Sequence, residues 1–351
     1  MKKNITISEI AAITGVSTAT VSRFLNGHFE RMSAATKTKV QDAITQNNYH
    51  VNRQAQSLKI KATHLVGMVV ADVTNIFSSI LFKGSDEVFE AFGYQILLMN
   101  SDNSKDRERQ QLKKLLDLQV DGIILQPISE DTADYTFIKD AGIPTIVVDR
   151  AMQPQIWPLV TTDNHAYSKL LTQLLLRMEY QQIVVISETL TGNSVRTARF
   201  QGVKDAVTDS SVVVSFVATS AGMTNEALYA KLIAATDNFN PKTAIHAPNG
   251  TVLIQVRTML TKFHVHLPNS VRLLSFYDLY FPYLLLPHFP PIHPHPIVLR
   301  FPSATQLLAS LNSDNLTSSS LPFFSIFFIF LPSFSSFPLF SHLLFLFSTP
   351  L

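Results

Sequence analysis

The sequence of 351 residues contains no cysteine, and this absence excludes several kinds of site. Without thiols the chain has neither a disulfide framework nor a thiolate metal site, and the composition suits a reducing cytoplasm. The first ten residues, M-K-K-N-I-T-I-S-E-I, also lack the apolar core of a signal peptide. We therefore expect a cytoplasmic protein rather than an exported binding protein.

Catalytic motifs are missing as well. The sequence has no P-loop, no G-x-S-x-G and no H-E-x-x-H, so no catalytic centre can be assembled from it, and we expect neither enzymatic activity nor a cofactor. Histidines do occur at His264 and His266 and in H-F-P-P-I-H-P-H-P (288–296). They stand among prolines without a supporting carboxylate, so we predict no metal site.

Glycine is absent after Gly250, and charge is nearly absent after residue 280, where only Arg300 and Asp314 are charged. Compact α/β turns need glycine, so this region departs from an ordinary domain. Apart from His342, residues 316–351 are all Phe, Leu, Ile, Ser, Pro or Thr. Prolines interrupt this tail too often to leave the ~20 apolar residues of a transmembrane helix. We expect no membrane partner.

The composition of the tail has a genetic interpretation. All codons for Phe, Leu, Ile, Pro and Thr, and most codons for Ser, have a pyrimidine at the second position. We hypothesise that residues 316–351 translate pyrimidine-rich DNA through a frameshift, a disrupted gene or a sequence error, and we predict a disordered low-complexity tail at residues 313–351. A neighbouring reading frame that restores glycine-containing α/β sequence would support this hypothesis.

The charges that are present are unevenly distributed. The formal net charge is +2, but residues 1–63 carry an excess of six positive charges and the remainder an excess of four negative ones. A basic head on an acidic body indicates a DNA-binding module joined to something else. The length predicts two or three domains.

Residues 6–26, T-I-S-E-I-A-A-I-T-G-V-S-T-A-T-V-S-R-F-L-N, predict two short helices joined by a turn. Thr6 or Ser8 caps the first helix, Gly15 supplies the turn, and Ser17 caps the second. Apolar residues at helical spacing predict the buried faces: Ile7, Ile10, Ala11 and Ile13 in the first helix, and Val21, Phe24 and Leu25 in the second. The pattern fits a helix-turn-helix, and on spacing alone it fits an ordinary helical hairpin equally well.

The free side of the second helix favours the DNA-binding interpretation. Small residues let the backbone approach a groove floor, Arg23 can reach a guanine edge, and hydroxyl groups can reach phosphates. This side carries Thr18, Ala19, Thr20, Ser22 and Arg23. A third helix, at about residues 33–47, starts at Ser33 and turns Val40, Ala43 and Ile44 inward.

The segment G-V-S-T-A-T-V-S-R-F-L-N-G (15–27) resembles the recognition-helix signature of the lactose-repressor (LacI/GalR) family of bacterial transcription regulators. Further matches follow in family order over about 200 residues. They are 33–44, 48–59, 65–77, 120–125, G-I-P-T-I-V-V-D-R (142–150), T-T-D-N (161–164) and R-F-Q-G-V (199–203). From there to about residue 280 the resemblance is partial, and beyond about 312 it is absent.

This resemblance implies a dimeric repressor on a palindromic operator. Thr18, Ala19 and Arg23 would read bases, and Thr6, Ser17, Thr20 and Ser22 would hold phosphates, with Asn26 in the turn that follows. In the hinge, the family asparagine, alanine and leucine match Asn52, Ala55 and Leu58, and the leucine would wedge into the minor groove. Val51 and Gln56 depart from the proline and arginine of the family.

From His64 onward, continuous apolar runs alternate with helix-period segments, which predicts parallel sheets covered by helices. The runs are 65–71, 96–99, 122–125, 145–148, 183–186 and 212–217, and the helical segments are 78–92, 105–119, 165–178, 196–207 and 224–236. Polar residues that end such strands are ligand candidates, and each could equally be a simple cap.

The family resemblance implies a body like a periplasmic binding protein, with two Rossmann-like lobes around a cleft for a sugar or sugar acid. The effector residues carried over from the family are Asp72, Asn75, Phe77, Asp149, Arg150, Asp163, Arg199, Asn249 and Asp278. Phe77 would stack on a ring, and Arg199 is the most dependable contact. Gly250 and Tyr277 stand where the family has aspartates.

We therefore predict four segments: a helix-turn-helix headpiece (1–48), a hinge (49–63), an effector-binding and dimerisation body (64–312) and the tail (313–351). The predicted function is a DNA-binding repressor with a small carbohydrate-type effector. Two alternatives stay open. One is a truncated or frameshifted regulator that binds DNA but has lost its effector response. The other is a soluble sugar-binding protein or enzyme, which would need a signal peptide or a catalytic motif.

Overall fold

The structure is a computed structural model that describes residues 5–30, 32–49, 62–267 and 270–275. The chain divides into two compact units with the boundary between Thr63 and His64. The described part of the first unit is helical and that of the second is α/β, which confirms the predicted fold class. The predicted hinge residues Asn52, Ala55 and Leu58, the effector residue Asp278 and the tail lie outside the described residues.

The first unit contains α1 (Ile7–Thr14), α2 (Thr18–Leu25) and α3 (Ala34–Gln46). Each helix begins after a hydroxyl cap, namely Thr6, Ser17 and Ser33, so Thr6 and not Ser8 is the first cap. Gly15 ends α1 with φ of 66°, a left-handed conformation that glycine adopts without steric cost. The turn between the first two helices therefore follows directly from the sequence.

The core of this unit is small and largely as predicted. It is built from Ile10, Ala11, Val21, Phe24, Val40 and Ala43. The prediction for Ile13 was wrong, because its side chain is 53% exposed and Thr14 is buried instead. Successive residues turn by about 100°, so Ile13 points away from the face that Ile10 and Thr14 share. The Thr14 hydroxyl donates to the Ile10 carbonyl oxygen at 2.7 Å, which satisfies its buried polar atom.

The second unit begins with a lobe of five strands and three helices within the described residues. The strands are β1 (Leu65–Val70), β2 (Gln95–Asn100), β3 (Gly122–Leu125), β4 (Thr145–Val148) and β5 (Leu159–Val160). The helices are α4 (Ile76–Ala91), α5 (Lys105–Asp117) and α6 (Thr136–Asp140). All pairings are parallel, in the order β2-β1-β3-β4-β5. Apolar clusters cover both faces of the sheet, as crossover helices require.

A second lobe repeats this architecture. Its strands are β6 (Gln182–Ser187), β7 (Val213–Ala218), β8 (Thr243–Ala247) and β9 (Arg272–Ser275). Its helices are α7 (Asn164–Arg177), α8 (Ser194–Ala206), α9 (Asn225–Ala235) and α10 (Gly250–Lys262). The sheet is again parallel, in the order β7-β6-β8-β9, between two apolar clusters.

The predicted alternation of strands and helices is confirmed up to α9, while β5, α6, β8, α10 and β9 were not predicted. Strand β8 overlaps A-I-H-A-P-N-G (244–250) and β9 overlaps L-L-S-F-Y-D (273–278), where the family match is partial. The lobe therefore continues to β9 despite the missing glycines. None of the helices in the described part of the chain combines the length and apolarity needed to cross a bilayer.

Candidate functional site

The second helix of the first unit presents the side that the sequence assigns to DNA. Thr18, Ala19 and Arg23 are exposed, while Val21 and Phe24 on the opposite side are buried. Ser17 Oγ accepts a hydrogen bond from the Thr20 N–H at 3.2 Å and lies 3.0 Å from Thr20 Oγ1. These hydroxyls sit at the N-terminus of α2, where backbone N–H groups favour a phosphate. Arg23 stands in the last turn of the same helix.

Thr6 is held more firmly than its predicted phosphate role requires. Its N–H and its hydroxyl donate to Glu9 Oε2 at 2.6 and 3.0 Å, and Thr6 Oγ1 accepts from the Glu9 N–H at 3.3 Å. This capping box stabilises the start of α1. A phosphate contact would have to draw the hydroxyl proton away from a carboxylate, so that role stays a prediction. Asn26 Nδ2 donates to Ser22 Oγ at 3.5 Å, so these two predicted residues are neighbours.

A contact that the sequence did not reveal fixes the chain after α2. The Phe29 ring meets the Phe24 ring edge-on at 5.6 Å, and the Lys37 ammonium lies 4.1 Å from the centre of the Phe29 ring. An edge-on pair and a cation–π contact together tie this turn to α3. They hold α2 at a defined orientation on the third helix.

In the second unit, polar residues meet where the strands of the first lobe end. Gln126 follows β3 and is buried; its Oε1 accepts from the Ala71 N–H at 3.0 Å and its Nε2 donates to Asp149 Oδ2 at 2.8 Å. Asp149 follows β4 with a left-handed φ of 66°. Arg150 Nε lies 3.9 Å from Asp149 Oδ2, and Arg150 Nη1 donates to the Pro127 carbonyl oxygen at 3.3 Å. Carboxylate and guanidinium are thus both fixed at this edge.

Charged residues of the second lobe lie near this edge of the first lobe. Arg196 Nη2 lies 3.0 Å from Glu188 Oε1, and Glu188 Oε2 accepts from Asn249 Nδ2 at 3.0 Å. The Ala151 N–H of the first lobe donates to Ser194 Oγ of the second at 2.9 Å. Burial lowers the pKa of Arg196; the Glu188 carboxylate opposes this and the positive Arg150 adds to it. Two arginines and two carboxylates from opposite lobes therefore act on one another.

Sequence reasoning missed Arg196. It lies in the first turn of α8, whereas the strand-end rule considers only residues that directly follow strands. Its signal was the charged helix start S-V-R-T-A-R (194–199), which comes shortly after β6. In a two-lobed α/β body, helix N-termini face the same edge as the strand ends.

Three other predicted residues make the local contacts of caps and turns. Asp72 Oδ1 accepts from the Thr74 N–H at 2.9 Å, Asn75 Oδ1 caps α4, and Asp163 Oδ1 caps α7. Phe77 is 4% exposed and packs within the apolar core of the first lobe, which argues against stacking on an effector ring. The effector roles of these four residues stay predictions.

Arg199 is buried and oriented by two partners. Its Nε donates to Asn164 Oδ1 at 2.8 Å, and its Nη1 donates to the Pro248 carbonyl oxygen. Pro248 follows β8 directly, so the guanidinium lies at the carboxyl end of the central strands, where ligands bind in such sheets. Asn249 Oδ1 also caps α10, accepting from the Val252 N–H at 2.8 Å.

A buried carboxyl group supports the loop beneath Arg150. Glu108 Oε1 accepts from the Ile128 N–H at 2.9 Å, and Glu108 Oε2 accepts from the Tyr135 hydroxyl at 2.7 Å. Burial raises the pKa of Glu108 to about 7, against the hydrogen bonds from Tyr135 and Ile128 and the charge of Arg150. Burial also raises the pKa of Tyr135. This pair holds the loop whose Pro127 carbonyl binds Arg150.

Comparison with known proteins agrees with both units. Residues 6–52 match the family described as bacterial regulatory proteins, lacI family, and residues 66–261 match the periplasmic binding protein domain. The chain is 31% identical to the HTH-type transcriptional regulator KdgR of Bacillus subtilis (strain 168), over 78% of this chain and 81% of that protein. It is 26% identical to the ribose operon repressor of Lactococcus lactis subsp. lactis (strain IL1403), over 90% of this chain and 93% of that one.

The fold is also similar to solved structures. The Lac repressor bound to ONPG in its repressed state has a TM-score of 0.74 and 20% identity, with 88% of this chain and 94% of that chain covered. The curated relatives are transcription regulators rather than enzymes. From the two domain matches and the identity to KdgR over most of both chains, we conclude that this chain is a DNA-binding transcription regulator of the LacI family.

Proposed function

We propose that the chain is a repressor that binds a palindromic operator as a homodimer in the cytoplasm and is released or strengthened on DNA by a small carbohydrate-type effector. The observation that carries the proposal is the exposed side of α2, with Thr18, Ala19 and Arg23 on a helix that a buried core orients. One such helix from each subunit would enter a major groove of each half-site.

In this proposal each segment has its own task. Residues 1–48 form the headpiece, 49–63 the hinge with Leu58 as minor-groove wedge, 64–312 the body and 313–351 the tail. The hydroxyls of Ser17, Thr20 and Ser22 hold phosphates around the recognition helix. The excess of positive charge in residues 1–63 supports this division, since phosphate contacts supply much of the affinity for DNA.

The effector would bind between the two lobes, against Asp149 and Arg150 on one side and Glu188, Arg196 and Asn249 on the other. Within each lobe these carboxylate, guanidinium and amide groups lie within 4 Å of a partner, and the hydrogen bond from Ala151 to Ser194 joins the two lobes next to them. Such a mixture of donors and acceptors suits a polyhydroxylated ligand, and the two arginines suit a carboxylate on it. A sugar or a sugar acid fits both requirements.

Two relatives support this assignment. The Lactococcus protein is named a ribose operon repressor and the Bacillus protein an HTH-type transcriptional regulator. The name of the Lactococcus protein describes a repressor of a sugar operon, which agrees with a repressor under carbohydrate control. We also propose that the chain has no enzymatic activity, because Asp149, Arg150, Glu188, Arg196 and Asn249 are held in ion pairs and hydrogen bonds.

The test is effector-dependent DNA binding by the full-length chain. A binding site is first selected from a random DNA library, and the complex is then titrated with glucose, ribose, galactose, gluconate and galacturonate. We expect one compound to change operator affinity at least ten-fold, roughly 1.4 kcal/mol of coupling. Arg196→Met should abolish that change and leave affinity for DNA without effector intact.

The matched control is Lys139→Met, which removes an exposed charge from the same unit. Specific DNA binding without any effector response would favour the second candidate function, a truncated or frameshifted regulator. The observation that favours this candidate is the tail, which lacks glycine and nearly all charge.

A further inference from the structure

A histidine lies at an interior position of the second lobe, where a polar ring is unusual. His246 is the fourth residue of β8, is 1% exposed, and lies between Val185 of β6 and Leu274 of β9. The family that the sequence resembles has an apolar strand here. Within the described part of the chain, neither ring nitrogen of His246 has a hydrogen-bond partner.

The direction of the ring follows from the alternation of side chains along β8. Ile245 and Ala247 pack in the cluster with α9 and α10. Ala244 packs on the other face, in the cluster that includes Leu171 of α7 and Val203 of α8. His246 therefore shares the α7–α8 face of the sheet with Ala244, because side chains two apart on a strand point the same way.

Arg199 lies on this same face. It belongs to α8, and it donates to the carbonyl oxygen of Pro248, two residues beyond His246. Its positive charge acts on the His246 ring, and together with burial it lowers the pKa of His246 to about 4, with burial the larger cause. The imidazole is thus neutral at physiological pH and sits beside the arginine proposed to contact the effector.

Two further buried hydroxyls on this face have no hydrogen-bond partner among the described residues. Ser187 ends β6, the neighbouring strand, and points to the same face as Ile183 and Val185, which pack on the α7–α8 side. Ser168 lies one helical turn before Leu171 on the sheet-facing side of α7. Buried polar groups without partners are destabilising and rare, so their recurrence on the α7–α8 side of one sheet indicates a ligand or bound water.

We propose that His246 is a specificity-determining residue of the effector site, where it hydrogen-bonds a hydroxyl group of the effector that enters the second lobe beside Arg199. A neutral imidazole offers one N–H donor and one nitrogen acceptor, which complement a hydroxyl that accepts and donates. The inference rests on the proposed function and deepens it. The effector must be a hydroxylated compound, and loss of one particular hydroxyl must cost it affinity.

The test uses isothermal titration calorimetry on the full-length chain, with glucose, ribose and gluconate, each compared with its mono-deoxy analogues. We expect wild type to bind one parent compound and to reject one of its deoxy analogues. His246→Phe should bind operator DNA as wild type does, because it replaces an unpartnered polar ring with an apolar one. It should lose about ten-fold or more in affinity for the parent compound and lose its preference over that analogue.

Two further variants make the result specific. His246→Gln keeps a neutral donor and acceptor and should retain part of the preference. Ser215→Ala removes another buried hydroxyl without a described partner, but in the middle of β7, and should leave the preference unchanged. Equal preference in wild type and His246→Phe would overturn the inference and leave the proposed function intact. If wild type binds no compound, the proposed effector control is contradicted together with the inference.

Discussion

At the scale of single residues, specificity for DNA should depend most on Arg23. Its side chain is exposed in the last turn of α2, the position from which a guanidinium can reach two acceptors on a guanine. We predict that Arg23→Ala weakens operator binding by about 1–3 kcal/mol and relaxes the requirement at one base pair of each half-site. Affinity for a set of single-base operator variants measures both effects. Uniform weakening over all variants would instead identify Arg23 as a phosphate contact.

The buried carboxyl group of Glu108 makes stability depend on pH. Its pKa of about 7 in the folded state lies above its ordinary value, so between these values the folded protein holds a proton that the unfolded chain releases. The free energy of unfolding therefore falls as pH rises through this window, by at most about 3 kcal/mol. Glu108→Gln cannot titrate and should lack this fall.

Urea unfolding at pH 5 and pH 8 measures the difference between wild type and Glu108→Gln. Glu90→Gln, on the exposed side of α4, is the control and should behave as wild type does. An identical pH dependence in wild type and Glu108→Gln would show that the carboxyl group is not the source. The opposite dependence expected from the lowered pKa of His246 cancels in this comparison, since both proteins contain that histidine.

At the scale of elements, the second lobe depends on the close approach of α7 and α8. A Cβ atom built on Gly202 would lie 2.3 Å from the His165 carbonyl oxygen and 3.0 Å from Ser168 Cβ. Backbone cannot yield as a flexible side chain does, so we predict that Gly202→Ala forces the helices apart and costs about 1–3 kcal/mol. The same helices carry Asn164 and Arg199, so effector affinity should fall as well.

Thermal or urea unfolding of the full-length chain tests this prediction. Gly222→Ala is the matched control, because no atom lies within 4 Å of its added Cβ, and it should change stability little. If Gly202→Ala were as stable as Gly222→Ala, the tight packing of α7 on α8 would not be a structural requirement.

Elements were easier to predict from the sequence than the site. Buried parallel strands are continuous apolar runs, and hydroxyl residues before helices act as caps, so β1 to β4, β6, β7 and the headpiece helices followed from local pattern. The prediction that Ile13 is buried was wrong because an apolar residue next to the buried face of a helix can still point outward. Helix α10 was not predicted, although its buried residues Val252, Val256 and Met259 recur at helical spacing.

The site resisted prediction because its contacts join residues far apart in sequence. The pairing of Glu188 with Asn249 and the effect of Arg150 on Arg196 arise only when strand ends and helix starts meet at one edge. His246 gave no signal, since a histidine between apolar residues does not reveal whether its nitrogens find partners. The burial of Phe77 was also not predicted, because the resemblance carries over a residue type and not its burial.

At the scale of the whole molecule, regulation requires that effector binding between the lobes changes how two headpieces meet DNA. Such coupling is reciprocal, so the operator must change effector affinity by the same factor that the effector changes operator affinity. A body that pairs two copies is needed for this, whereas one headpiece alone binds DNA weakly.

The most direct measurement is therefore operator binding by the purified full-length chain, on a palindromic lactose-repressor-type site and on a scrambled site, at about 50 and about 200 mM salt. We predict a complex of two chains per palindrome that keeps its preference for the palindrome at the higher salt concentration. Weak binding that disappears at the higher salt concentration and does not distinguish the two sites would contradict a working dimeric regulator. It would leave a DNA-binding headpiece on a body that no longer pairs.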